Sequence, residues 1–148
     1  ASMGLEIPIL GSDTLDSNMV LEAASGSDVK LYVSTFYQEG GSPEFDEGIK
    51  AWLNEDATAM TNNGGNDTIA AVTAMGYDAY YVALEALKAA GSTDPAAVKA
   101  ALPGVTYTGV TGDIAFDDIG DAIRDTAYIK VADTANNAWA LETMQKAG

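Results

Sequence analysis

The sequence predicts an α/β fold with a parallel sheet, followed by a β-hairpin region near the carboxyl end. Residues 7–10 and 29–36 form two short apolar runs, and each run is followed by loop residues and a helical pattern. Short apolar runs bounded by turn residues are typical of strands in a parallel sheet. Residues 127–132 and 138–141 are extended segments on either side of a turn, and they predict the hairpin.

The composition limits the classes of function. The chain has 148 residues, of which 47% are hydrophobic, so it can form a globular domain with its own core. Its formal net charge is −15, which repels phosphate backbones and anionic membrane surfaces. We therefore expect no nucleic-acid partner, and we interpret the acidity itself as an aid to solubility.

The sequence contains neither cysteine nor histidine. Thiolate nucleophiles, zinc sites with Cys or His ligands, and triads with an imidazole base all require these residues. No pair of carboxylates has a spacing that indicates acid–base catalysis, and the sequence has no phosphate-binding glycine loop. We therefore predict that the protein is not an enzyme and that it uses no cofactor and no metal.

The loop after the first apolar run is the main candidate for a binding site. Ile7-Pro8-Ile9-Leu10 predicts a buried strand, and Gly11-Ser12-Asp13-Thr14 follows it. Ligands of open α/β sheets lie beyond the carboxyl ends of the strands. The carboxylate of Asp13 would therefore face a crevice and attract a cationic group. The alternative is that Ser12 or Asp13 only caps the next helix.

The second apolar run ends in two aromatic residues, Phe36 and Tyr37. Their rings would lie at the mouth of the same crevice, where they pack either on an apolar part of a solute or on the edge of the core. The short helix between the two strands is predicted to begin at Asp16 or Ser17, and Gly26 is expected to end it.

Capping residues and apolar spacing predict two helices in the middle of the chain. Ser42-Pro43-Glu44 begins the first, and its apolar spacing places Trp52 in the core. Asp67 is expected to cap the second, at residues 68–90, which Gly76 either bends or divides into two.

The remaining pattern is partly helical and then extended. Asp78 is expected to be exposed or to support its helix, and Gly91 should end that helix. Ser92-Thr93-Asp94-Pro95 predicts the start of another helix, and residues 105–107 and 109–116 are then extended. The acidic stretch at residues 117–121 lacks the ligand spacing of an EF-hand loop, so we interpret it as a turn with solvated acids.

These motifs, in this order, resemble the carboxyl-terminal half of the type I periplasmic solute-binding proteins of the leucine/isoleucine/valine-binding kind, a family that includes extracellular ligand-binding receptors. The most specific combination is a Tyr-Asp-Ala helix ending in Ala-Gly, followed by Gly-Val-Thr-Gly and then by Phe-Asp-x-x-Gly-Asp. The matching stretches are Ile7-Pro8-Ile9-Leu10-Gly11-Ser12-Asp13, Tyr32-Val33-Ser34-Thr35, Ser42-Pro43 with Phe45, Gly76-Tyr77-Asp78-Ala79, Ala89-Ala90-Gly91, and residues 107–117 with Gly120-Asp121.

The resemblance implies a two-lobed clamshell that closes around a small polar solute and delivers it to the membrane permease of an ABC transporter. This would place the protein in the periplasm or outside the cell. It also implies that Asp13 binds the amino group of an amino acid, with Ser12 and Thr14 as neighbours in the loop. We add Phe36 and Tyr37 as packing surfaces for that solute. A ligand-sensing domain of a receptor with the same fold is the alternative function.

Members of this family are far longer than this chain. Ala1-Ser2-Met3-Gly4 resembles a cloning remnant, so an export signal is expected to have been removed, and residues 5–148 would be the carboxyl-terminal portion of such a domain. Residues 77–90 would belong to the lobe opposite the first two strands. Exposed sheet edges then predict an intertwined dimer with a second copy, a rearranged compact fold, or association with the missing amino-terminal half.

Overall fold

A computed structural model describes residues 6–146, and these residues form two compact units. The predicted cloning remnant at residues 1–4 lies outside the described residues. Residues 6–73 and 126–146 belong to the first unit, and residues 74–125 belong to the second. Residues 77–90 therefore lie in a different unit from the first two strands. Their assignment to the opposite lobe stays a prediction.

The helices and strands follow one another in an α/β order. The strands and helices are β1 (Ile9–Gly11), α1 (Asn18–Ala24), β2 (Leu31–Thr35), α2 (Pro43–Glu55), α3 (Ala57–Asn62), α4 (Ala71–Ala90), α5 (Pro95–Ala101), β3 (Tyr107–Gly109), β4 (Gly112–Phe116), β5 (Ala122–Ile123), β6 (Thr126–Asp133) and β7 (Ala138–Lys146). Two short 3-10 turns, Asp13–Leu15 and Leu102–Gly104, complete this order.

The sheet of the first unit has the strand order β1-β2-β6-β7. β1 and β2 are parallel, with Ile9 opposite Leu31, which confirms the predicted parallel pair. β6 and β7 form the predicted hairpin, although β7 continues to Lys146, beyond its predicted end. β6 also pairs antiparallel with β2, a long-range contact that no local pattern predicted.

The prediction that β1 is a buried strand is wrong. The strand begins at Ile9 rather than at Ile7, and the side chain of Leu10 is 70% exposed. Within the described part of the chain β1 is an edge strand, so it is paired on one side only. An exposed apolar edge is a site where another strand can pair. The association with a second copy or with an amino-terminal half stays a prediction.

The first two helices confirm their predicted starts, but one predicted core residue is exposed. Ser17 is the N-cap of α1, and its side chain accepts a hydrogen bond from the backbone of Val20. In α2, Trp52 is 55% exposed, so its assignment to the core is wrong. The buried face of α2 includes Phe45, Asp46 and Leu53. At 100° per residue this face is rotated towards Asp46, which leaves Trp52 at its margin.

Helix α4 is continuous through Gly76, so the helix is not divided in two. Gly91, with φ of +58°, follows its last residue as predicted. Asp67 does not cap this helix, because α4 begins at Ala71 rather than at residue 68. The carboxylate of Asp67 accepts a hydrogen bond from the side chain of Asn54 instead. The backbone N–H of Ala71, at the start of α4, donates instead to the carboxylate of Asp16.

The second unit has its own small core and a three-stranded antiparallel sheet in the order β3-β4-β5. Val82 and Ala86 of α4 pack there with Val105 and Ile114. Asp78 is fully buried, so its expected exposure is wrong. Its carboxylate accepts hydrogen bonds from the backbone N–H groups of residues 110 and 111 and from the hydroxyl of Thr111.

Replacing Gly76 by alanine should stabilise the protein by about 0.5–1 kcal/mol. Gly76 lies inside α4, and a Cβ atom there would meet no heavy atom within 4 Å. Urea unfolding measures the change. Gly91→Ala is the matched control, because its positive φ makes the same substitution unfavourable. A loss of stability in Gly76→Ala would contradict the prediction.

Candidate functional site

The loop after β1 forms a compact turn that presents three polar side chains. Residues 13–15 form one 3-10 turn, and the hydroxyl oxygens of Ser12 and Thr14 lie 2.8 Å apart. The side chain of Asp13 is partly exposed. Among residues 6–146 its carboxylate has no hydrogen-bond or ion-pair partner. Ser12 occupies the N-cap position of this turn, but its side chain makes no capping hydrogen bond, and Ser17 rather than Ser12 or Asp13 caps α1.

The parallel pairing places the ends of β1 and β2 at one edge of the sheet. Gly11, the last residue of β1, lies opposite Val33, and β2 ends two residues later at Thr35. Phe36 then follows and is partly exposed. The structure therefore brings Phe36 to the same edge as the loop that carries Asp13.

Tyr37 lies in the interior rather than at an open surface, with 2% of its area exposed. Its ring packs edge-on against Phe45, and its hydroxyl donates a 2.6 Å hydrogen bond to Asp46. Burial and the neighbouring Asp46 carboxylate raise the pKa of Tyr37 well above its ordinary value. The second oxygen of Asp46 accepts from the N–H of Gly40, so this carboxylate holds the loop after β2.

A buried ion pair beneath this edge was not predicted from the sequence. The side chains of Asp16 and Lys130 are 1% and 3% exposed, and their Oδ2 and Nζ atoms lie 2.9 Å apart. The same oxygen accepts from the hydroxyl of Thr35 at 2.9 Å and from the N–H of Ala71 at 3.3 Å. The available signal in the sequence was a lysine between the apolar residues Ile129 and Val131. This position indicates a buried ion pair, but it does not identify the acidic partner.

Each unit also has an open groove on its surface. The groove of the first unit, of about 610 Å³, lies beside α2, and Glu39 and Lys50 form an ion pair in its wall. None of residues 12–14 lines it. The groove of the second unit, of about 400 Å³, is lined mainly by β3 and β4. The loop that carries Asp13 therefore lines neither of these two grooves.

The described residues contain neither a cluster of metal ligands nor a membrane-spanning helix. Within residues 6–146, no group of three or more acidic side chains is placed to hold a metal ion. In the same part of the chain, no helix combines the length and the apolar character that crossing a bilayer requires.

Comparison with known proteins identifies the family. Residues 1–136 match the family described as periplasmic binding protein. Among solved structures, the chain is similar to a leucine binding protein, LivK, from Thermotoga maritima MSB8. The two share 24% identity with a TM-score of 0.70, over 98% of this chain and 39% of that chain. No curated protein sequence gives a significant match.

Two further solved structures show the same likeness. One is the branched-chain amino acid transporter substrate binding protein LivJ from Streptococcus pneumoniae, in complex with isoleucine, with 21% identity and a TM-score of 0.62 over 98% of this chain and 38% of that one. The other is an ABC transporter substrate-binding protein from Desulfitobacterium hafniense, complexed with Leu, with 22% identity and a TM-score of 0.56 over 95% and 37%.

The chain spans less than two fifths of the length of each of these three structures. At these identities the likeness establishes the fold, which is α/β with a parallel pair of strands, as the sequence predicted. The family match covers nearly all of the sequence. The chain therefore belongs to the periplasmic binding protein family, with the fold of part of a type I periplasmic binding protein.

Proposed function

We propose that the chain belongs to the solute-binding component of an ABC-type uptake system, which binds an amino acid in a cleft between two lobes. Membership of the periplasmic binding protein family supports a solute-binding role. Two of the similar structures hold isoleucine and Leu, which supports an amino acid as the solute. The protein would act in the periplasm or outside the cell and pass its solute to a membrane permease.

One observation carries the proposal. The partly exposed carboxylate of Asp13 has no partner within the described residues, and it lies at the carboxyl edge of the parallel pair β1 and β2. The buried carboxylates of Asp16, Asp46 and Asp78, in contrast, accept hydrogen bonds from neighbouring segments. An unpaired carboxylate at a sheet edge that binds ligands in open α/β folds is suited to an ammonium group.

The loop has the chemistry to hold the amino end of such a solute. Asp13 would accept charge-assisted hydrogen bonds from the ammonium group, and the hydroxyls of Ser12 and Thr14 add further acceptors beside it. Phe36 would pack on the apolar part of the solute. Tyr37 would contribute through its buried bond to Asp46, which fixes the loop after β2. The resemblance to the family implies that the amino-terminal part, which this sequence does not contain, would hold the solute carboxylate.

Replacing Asp13 by alanine should weaken amino-acid binding by about 2–5 kcal/mol, which is roughly 30-fold or more. The reason is that a desolvated ammonium group left without its partner loses more than the hydrogen bond itself. Calorimetric titration of the full gene product that contains this sequence, with each of the standard amino acids, measures the change.

The control is Asp28→Ala, which removes one negative charge from an exposed position in the same unit. It should leave the affinity unchanged. In the unsubstituted protein, the carboxylic acid that lacks the amino group should bind far more weakly than the amino acid. Equal affinities of the Asp13→Ala variant and the unsubstituted protein would reject the role of Asp13.

A further inference from the structure

We propose that Asp16 is a positioning residue that fixes the turn presenting Asp13. Asp16 follows the 3-10 turn Asp13–Leu15 directly, and its side chain is buried. The effect on solute affinity rests on the proposed function. The effect on the turn itself does not.

The carboxylate of Asp16 joins segments that are distant in the sequence. Its Oδ2 atom accepts from Thr35, Ala71 and Lys130, which are 19, 55 and 114 residues further along the chain. These three donors belong to the end of β2, the start of α4 and the middle of β6. One oxygen atom therefore ties three elements to the residue that follows the turn.

Backbone hydrogen bonds connect Asp16 to Asp13. The N–H of Asp16 donates to the carbonyl of Asp13 at 3.0 Å, and the N–H of Leu15 donates to the carbonyl of Ser12 at the same distance. The side chain of Leu15 also packs against Gly11, where an added Cβ would lie 2.5 Å from it. The turn is thus held between the end of β1 and Asp16, and displacement of Asp16 moves Asp13.

Stability alone does not explain this arrangement. A buried ion pair is often no more stabilising than apolar residues of the same volume. Moreover, the second oxygen of Asp16 is buried without a hydrogen-bond partner among the described residues, which adds a desolvation cost. What the charged group provides, and an apolar side chain would not, is a directional contact with three donors at once.

The test compares Asp16→Asn with Asp78→Asn in the full gene product, without solute. Asp78 is the matched control, because it is a fully buried carboxylate with three hydrogen bonds that lies in the second unit. In Asp16→Asn, hydrogen exchange at the amides of Leu15 and Asp16 should become at least tenfold faster, while exchange in α2 should not change. Asp78→Asn should leave the exchange of the turn unchanged.

A second measurement uses solute. Asp16→Asn should weaken amino-acid binding about tenfold and reduce the preference for the amino acid over the acid that lacks the amino group, because Asp13 is misplaced. Asp78→Asn should change neither. A residue with only a structural role would lower the melting temperature and leave both the preference and the exchange of the turn as they were.

Each outcome decides whether Asp16 positions the turn or has only a structural role. If Asp16→Asn does not fold, the test uses Thr35→Val, which removes one hydrogen-bond donor to Asp16 and keeps the ion pair with Lys130. Thr35→Val should make hydrogen exchange of the turn about threefold faster. Unchanged exchange in a folded variant would overturn the positioning role. If the unsubstituted protein binds no amino acid, the proposed function fails, while the exchange measurement still decides the role of Asp16.

Discussion

Replacing Lys130 by methionine is expected to destabilise the protein by about 3–5 kcal/mol, because it leaves the buried carboxylate of Asp16 without its counter-charge. The two side chains are almost fully buried, and 2.9 Å separates their charged atoms. Methionine fills most of the volume of the lysine side chain. The loss of stability would therefore come from the removed charge and not from a cavity. Urea unfolding followed by circular dichroism measures it.

Two further variants separate the charge effect from other causes. Asp16→Asn combined with Lys130→Met removes both charges and should recover most of the lost stability. Lys88→Met removes the cation of an exposed pair with Glu85 and should change the free energy of unfolding by about 0.5 kcal/mol or less. A cost below about 1 kcal/mol for Lys130→Met would show that this pair behaves like a surface pair.

Replacing Gly109 by alanine should destabilise the second unit by about 3 kcal/mol or more. An added Cβ would overlap with three atoms of the Asp78 carboxyl group. That group is fully buried and accepts hydrogen bonds from Val110 and Thr111, so it cannot move aside without breaking charge-assisted bonds. The midpoint of thermal unfolding should fall accordingly.

Gly104→Ala is the control in the same unit, because a Cβ there would meet no heavy atom within 4 Å. Its effect should stay within about 0.5 kcal/mol, as for other substitutions away from special features. If Gly109→Ala were as stable as the unsubstituted protein, the close approach of β3 to Asp78 would not be a constraint on the fold.

Much of the local structure could be predicted because its signals are local. Ser17, Pro43 and Asp94 begin helices where capping chemistry predicts them, and Gly91 ends α4. Along β2 the apolar residues Leu31 and Val33 alternate with Tyr32 and Ser34 in the sequence, and Leu31 and Val33 are buried in the structure. Such signals act through hydrogen bonds and torsion angles within a few residues, so the sequence is sufficient to locate them.

The candidate site could be predicted only in part. The position of Asp13 after the first strand follows from the order of strand and loop, and the structure places Phe36 at the same edge. The role of these residues in binding stays a prediction. The ring of Tyr37 does not lie at an open surface as expected, because its hydroxyl donates a hydrogen bond to the buried carboxylate of Asp46.

By itself the sequence determined the family, the parallel pair of strands, the hairpin, the starts of α1, α2 and α5 and the end of α4. It did not predict α3, and it placed the start of α4 three residues too early. Only the tertiary structure decided which polar groups are buried together. Asp16 and Lys130 are 114 residues apart and meet because β6 pairs with β2. Asp78 is buried for a similar reason, since β3 ends beside α4. A buried charged side chain requires a partner in any fold, and the sequence shows this requirement. Which residue becomes the partner depends on how the strands and helices pair.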